Sequence, residues 1–391
     1  MLKQIKFYTP LHCLALTFRA GLALAALQFL ISGSSWAASA VNYEIWALDQ
    51  GTNQVHIYSS ALKEVHRIDL AAKGVRTAHM IDFTSNGAYA LIASTGSGDV
   101  TLVRTSDRTI VGQLATGPGT HMATVGPDDR VAIVAVIGDP KAPGTGKLVE
   151  VRIDGAKPSF TLGRSLVISE DPFIKQKGAR FKDTRPVCQE FTAAGRYAYV
   201  TLGPALENGG VVVLDTRNFT LVAAYPPDEV RANCGTVRTN DGRRMIVNGG
   251  GADVGIWYVF DTTTHKVIHQ ADSRGKDAHG VWPVPDGSAI WMVNRVSSNA
   301  IVIDPTRFGV IDEIKFVGKT PDIIAMTPDS RYAFISLRGP KPLTAPHVAV
   351  GETPGFAVID LRTRKLVRTI EPAKGEPKSD FHGIGVRILG R

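Results

Sequence analysis

Short apolar runs, many alternating with polar residues, recur along most of the chain and are separated by turns rich in Gly, Asp, Asn and Pro. That period of two predicts half-buried strands, and no long stretch of helical periodicity competes with it. The clearest unit reads 279–287 (HGVWPVPDG), 289–294 (AIWMVN), 300–304 (AIVID) and 309–316 (GVIDEIKF), which is four strands in succession. Its Pro-Asp-Gly supplies a tight turn, since Asp bonds its own backbone and Gly accepts a positive φ. Equivalent turns stand at 84–87, 126–129, 192–195, 239–242 and 327–330, and 382–388 (HGIGVRI) repeats the first strand alone, giving seven copies.

The two ends complement each other. The repeat region opens with 43–48, 54–58 and 65–70, which read as second, third and fourth strands lacking a first, and it closes on a first strand with nothing after it. The predicted fold is therefore all-β: a seven-bladed β-propeller of four-stranded antiparallel blades, the ring closed by the N-terminal strands pairing with the C-terminal strand. Closure removes exposed sheet edges. Residues 41–391 form this one domain.

Residues 1–40 carry Lys3, Lys6 and Arg19, the apolar run 21–31 and the small residues Ala37, Ala38, Ser39 and Ala40. They read as a cleaved secretory signal peptide, with an uncleaved anchor as the alternative. The mature chain is expected in an oxidising compartment, most simply a bacterial periplasm, without a membrane span. It keeps Cys188 and Cys234 of the three cysteines.

A content of 44% hydrophobic and 20% charged residues excludes a disordered chain, and three cysteines in 391 residues exclude a disulfide-built miniprotein. The net charge of +8 falls to +5 without the three N-terminal cations, and the rest are scattered, so nucleic acid is not an expected partner.

The spelling 196–201 (RYAYVT) after a turn, the Pro-Asp-Gly turns and the Val-Ile-Asp third strands resemble YVTN-type seven-bladed propellers. That group is also similar to the haem-bearing propeller of cytochrome-type nitrite reductases and the copper-bearing propeller of nitrous oxide reductase. The resemblance implies the fold and leaves function open, because propellers host enzymes, lactonases and binding proteins alike.

Aligned on the turn, the copies place His79, His121, Val187, Cys234, His279, Asp322 and His382 at the start of the innermost strand. Equivalent positions in a closed ring converge on the axis. His79, His121, Cys234, His279, Asp322 and His382 are therefore candidate metal ligands, with copper favoured over zinc or a non-covalently held haem. The plainer reading is that His-Gly is a recurrent propeller spelling in which imidazole bonds a neighbouring blade's backbone. Cys188 and Cys234 could instead form a disulfide, although strand alternation points positions offset by one to opposite faces unless a bulge intervenes.

Insertions at 138–146, 170–184 and 338–354 are expected on the same side as the histidines, walling the mouth into a pocket where Arg180, Lys182, Arg185, Arg338 and His347 could hold an anion. The glycine clusters at 96–98 and 249–251 are followed by no helix and read as loop tips. No C-x-x-C-H haem attachment and no G-x-S-x-G elbow occurs. Trp257, Trp282 and Trp291 read as packing between blades.

Three functions remain open: a periplasmic propeller using copper at its channel mouth in redox chemistry on a small anion; a non-catalytic scaffold presenting its loops to a protein or small-molecule partner; and a lactonase-like hydrolase with Asp322 and His activating water.

Overall fold

The computed structural model describes residues 41–389 except 143, 155–158, 206–207, 252 and 347. The expected signal peptide and His347 lie outside the described residues. Seven four-stranded antiparallel sheets follow one another. In six of them four consecutive strands form the blade, and in the seventh Phe381–Ile388 is innermost, followed by Tyr43–Asp49, Gln54–Ser59 and Glu64–Asp69. Tyr43 pairs with Ile388 and Trp46 with Gly385, so the two ends of the chain close the ring as expected. We number the blades from the one that opens with Ala78–Phe83; the closing blade is the seventh.

Burial grades across each blade and explains the residue pattern. In the third blade Val211–Asp215 is buried at every position, whereas the outermost strand of the sixth, Lys365–Ile370, has one buried residue and the rest half-buried or exposed. Middle strands are covered by blades on both faces and are largely apolar and buried, while outer strands have one wet face. Trp46, Leu48, Val55 and Ile57 of the seventh blade interlock with Ala90, Ile92 and Val103 of the first. Trp257 and Trp291 are buried between blades in the same way, but Trp282 is 40% exposed. It sits near the far end of its strand and faces a cavity.

An Asp at or just past the end of several third strands has a local task. Asp215 Oδ1 accepts the backbone N–H groups of Arg217 and Asn218, and Asp261 and Asp304 do the same two and three residues on. These bonds tie the turn into the outer strand, with Phe219, His265 and Phe308 at positive φ. Among the described residues no helix is long and apolar enough to cross a membrane.

Candidate metal centre

Six of the seven innermost strands reach the mouth through an irregularity; the fourth blade's, Thr236–Arg238, pairs without one. Pairing with the second strand shifts register between Ala78 and Met80, Thr120 and Met122, Pro186 and Gln189, Ala278 and Val281, and Pro321 and Ile324. The seventh blade shifts opposite His382 and Gly383. A bulge frees a residue from the ladder and re-aims its side chain. Here the freed residues include His79, His121, Val187, His279, Asp322 and His382 of the predicted column, whereas Cys234 precedes its strand. Two residues earlier, the backbone takes positive φ at Thr77, Gly119, Asp277 and Thr320, swinging the chain into the inner strand.

The His-Gly spelling follows from crowding at the axis. A Cβ on Gly235 would lie 2.2 Å from the carbonyl oxygen of His279, one on Gly280 2.3 Å from that of Asp322, and one on Gly383 2.6 Å from that of His79. Each glycine thus admits the column residue of the next blade.

The candidate ligands do converge. His79 Nε2 and His121 Nε2 lie 3.0 Å apart, and the His79 and His382 rings stack with centroids at 3.6 Å. His279 Nε2 is 2.8 Å from Asp322 Oδ1 and 3.1 Å from Cys234 Sγ, and His382 Nε2 is 3.6 Å from Asp322 Oδ2. Donor atoms of His279, Asp322 and His382 lie within 4.8 Å of one another. Val187 packs with Met122, Cys188 and Cys234 on the apolar side of the ring.

The surroundings fix which imidazole nitrogen carries the proton. The Gln50 amide nitrogen donates to Asp380 Oδ2 at 2.7 Å and to Thr344 Oγ1 at 3.2 Å, leaving its oxygen 2.8 Å from His79 Nδ1. His79 therefore donates from Nδ1 and holds a lone pair on Nε2. His382 Nδ1 donates to the His79 carbonyl at 3.1 Å, so its Nε2 lone pair also faces the axis. The plainer reading of His-Gly thus describes the outer nitrogen of His382, while the inner one points at Asp322. Such second partners orient metal-binding imidazoles.

Charge is balanced by two buried arginines. Arg338 bonds Asp322 and Asp380, each at 2.8 Å, and Arg295 bonds Asp277 at 2.7 Å. Burial works against charge on Asp322, but His382, His279, Arg295 and Arg338 overcome it and hold the carboxyl well below its usual range. Burial and Arg295 push His279 down, and Cys234 and Asp322 outweigh them, leaving it raised to about 9. Burial pushes His79, His382 and His121 down, the last to about 4, which keeps them neutral at physiological pH. Burial and the adjacent Cys188 raise the Cys234 thiol.

A cavity of about 610 Å³ opens above the cluster, roofed by Pro140, Pro204, Leu343 and Pro346 and floored by His79, His121, Cys234, His279 and His382. Two insertions build this roof as expected. The third folds as Pro172–Lys177, capped by Asp171, and sinks Ile174 and Phe181 into the core beside the third blade. Its cations lie elsewhere: Arg180 pairs with Asp228 and Glu229, Lys182 lines a separate cavity with Arg180 and Asp228, and Arg185 pairs with Asp183. Arg338 reaches the site as the fully buried partner of carboxylates rather than as a free anion holder. The cation that lines the cavity among the described residues is Arg295.

Gln50, Arg295 and Asp380 are contributors that sequence reasoning missed. Gln50, Arg295 and Arg338 each directly follow the second strand of their blade, as do Thr95 and Ile137 in the cavity wall. This second aligned column was present in the sequence. Nothing local marks Asp380.

No family model and no curated protein matches the chain. Among solved structures it is similar to hydrazine synthase of Kuenenia stuttgartiensis, at 13% identity and a TM-score of 0.59 over 84% of this chain and 95% of that one. It is also similar to the dihydro-heme d1 dehydrogenase NirN in complex with DHE, at 15% identity and 0.55 over 87% and 74%. A third likeness is the Cps50 (Swd1) β-propeller domain of Myceliophteria thermophila, at 13% identity and 0.56 over 82% and 91%. What these likenesses establish is the fold: the chain is a seven-bladed β-propeller.

Proposed function

We propose that this is an exported, periplasmic propeller of the YVTN type that binds a transition-metal ion, copper by its donor set, at the channel mouth. The observation that carries the reading is that His79 and His382 both hold an inner Nε2 lone pair, that of His382 3.6 Å from Asp322 Oδ2, with both outer nitrogens committed to fixed acceptors. The residues fit an ion in other respects. Two nitrogens on one ion, each about 2.0–2.1 Å from it and near a right angle, stand roughly 3 Å apart, which is the His79–His121 spacing. The buried Nδ1 of His279 has no hydrogen-bond partner among the described residues. Imidazole with a thiol favours copper or zinc over hard cations, and copper leads in affinity.

His79, His121, His279 and His382 would hold the ion, with Cys234 and Asp322 as further donors. Copper there would supply one-electron chemistry. Arg295 gives the cavity floor a positive group suited to a small anion. The second reading, a non-catalytic scaffold, is favoured by the His279–Asp322 contact at 2.8 Å, an ion pair that needs no metal to form. A hydrolase is less well supported, because Asp277 and Asp380 are committed to arginines.

The test is the metal content of untagged protein purified from the periplasm, with His79→Ala and His382→Ala alongside. Stoichiometric copper lost in both variants supports the metal reading. Metal-free protein whose thermal stability copper does not change supports the scaffold.

A further inference from the structure

Cys188 and Cys234 belong to adjacent blades, yet their sulfurs are 3.5 Å apart and both residues are free thiols. The register shift between Pro186 and Gln189 overrides the alternation that would have turned Cys188 away. Thr201 pins the two backbones together: its Oγ1 accepts the Cys188 N–H at 3.1 Å and lies 3.3 Å from the Cys188 carbonyl and 3.2 Å from that of Cys234. Cys234 also touches His279, at 3.1 Å. One sulfur therefore has two neighbours and can commit to one of them.

We propose that Cys188 and Cys234 form a reversible disulfide, and that forming it withdraws Cys234 from His279 and from the proposed metal. The second half rests on the metal reading; the first does not. Closing to a bond of about 2.05 Å needs a sulfur movement of roughly 1.5 Å, within reach of side-chain rotation. The apolar wall of Val187 and Met122 receives a neutral disulfide more readily than a thiolate.

Access sets the order of events. Cys234 lines the cavity, and Cys188 stands behind it. With a small-molecule disulfide as oxidant, the Cys234 thiolate attacks one sulfur, forming a mixed disulfide and releasing one thiolate. The Cys188 thiolate then attacks Cys234 Sγ and expels the second. The two protein protons pass to the released thiolates, so two protein thiols are oxidised and one external disulfide becomes two thiols.

The full chain with Cys13→Ser, reduced and then incubated with hydroxyethyl disulfide, should lose about 2 Da. Peptide mapping should locate the link at Cys188–Cys234, and dithiothreitol should reverse it. Cys188→Ser and Cys188→Ala should give a mixed disulfide on Cys234 instead. Two thiols still alkylatable after denaturation, or a loss of 2 Da in the Cys188 variants, would overturn the proposal. Zinc, which cannot oxidise the pair, reports the linkage: the oxidised protein should bind it at least tenfold more weakly, and equal affinity overturns the linkage. Absence of both zinc and Cu(I) binding in either state sinks the metal reading and the linkage together, while the mass measurement still decides the disulfide.

Discussion

Arg338 meets Asp322 at 2.8 Å with neither side chain reached by solvent, and Asp380 closes the other side of the same guanidinium. Two carboxylates from different blades thus share one guanidinium inside the ring, and Asp322 also faces His279 and Arg295. Pulling charges out of water is costly, and the arrangement persists because Thr344 and the Gly339 and Leu343 amides complete the hydrogen bonding around them. Removing the arginine leaves buried charge uncompensated. We predict that Arg338→Met lowers unfolding free energy by about 3–5 kcal/mol, measured by urea denaturation. A loss below roughly 1 kcal/mol would mean that solvent reaches this pair.

Gly280 is where the Asp322 carbonyl passes closest to a neighbouring blade. Gly280→Ala must push the two strands apart, at a cost of about 1–3 kcal/mol. Metal affinity should fall with it, since Asp322 moves from His279. Gly309→Ala is the control: a Cβ there meets nothing within 4 Å, so stability should stay within about 0.5 kcal/mol.

Gln50 ligates nothing in the proposed site; it positions His79. Gln50→Leu should retain the fold and weaken metal binding about 10- to 100-fold. ¹⁵N shifts of His79 should change from a single Nδ1–H tautomer to a mixture. An unchanged tautomer would show that the Gln50 contact does not set it.

How far the sequence carried this picture depends on the kind of information involved. The turns at 84–87, 126–129 and 192–195 spell the repeat locally, so blade number and closure could be read from it, and the same alignment delivered the column from His79 to His382. What alignment could not convey was the bulges. Alternation predicted that Cys188 and Cys234 would face apart, and the register shift after Pro186 reverses that. Nor could it separate a free cation from a spent one. Arg338 and Arg185 looked available for an anion, but the carboxylates that neutralise Arg338 come from other strands, one of them 42 residues away.

At the opposite end of the innermost strands, Asp82 and Glu190 share a cavity of about 650 Å³ with Arg238 and Trp282. Burial raises Asp82 from 3.8 to about 6 against the amides of Val125 and Phe83. Burial likewise raises Glu190 from 4.5 to about 7 despite Arg238. A carboxyl that folding makes a weaker acid binds its proton more tightly when folded. Its contribution to stability is present below the unfolded value and is lost as pH rises through 6 and 7. Carboxyl ¹³C titrations should show two midpoints near those values, and midpoints below 5 for both would contradict this.

The central claim is that the column side chains hold an ion on the propeller axis. Crystals of copper-loaded protein, measured on both sides of the copper absorption edge, would locate it. The account predicts one anomalous peak among His79, His121, His279 and His382 near Asp322, about 2.0–2.1 Å from imidazole nitrogen, absent in His382→Ala. An axis without a peak, or copper only at surface histidines such as His66, would contradict it.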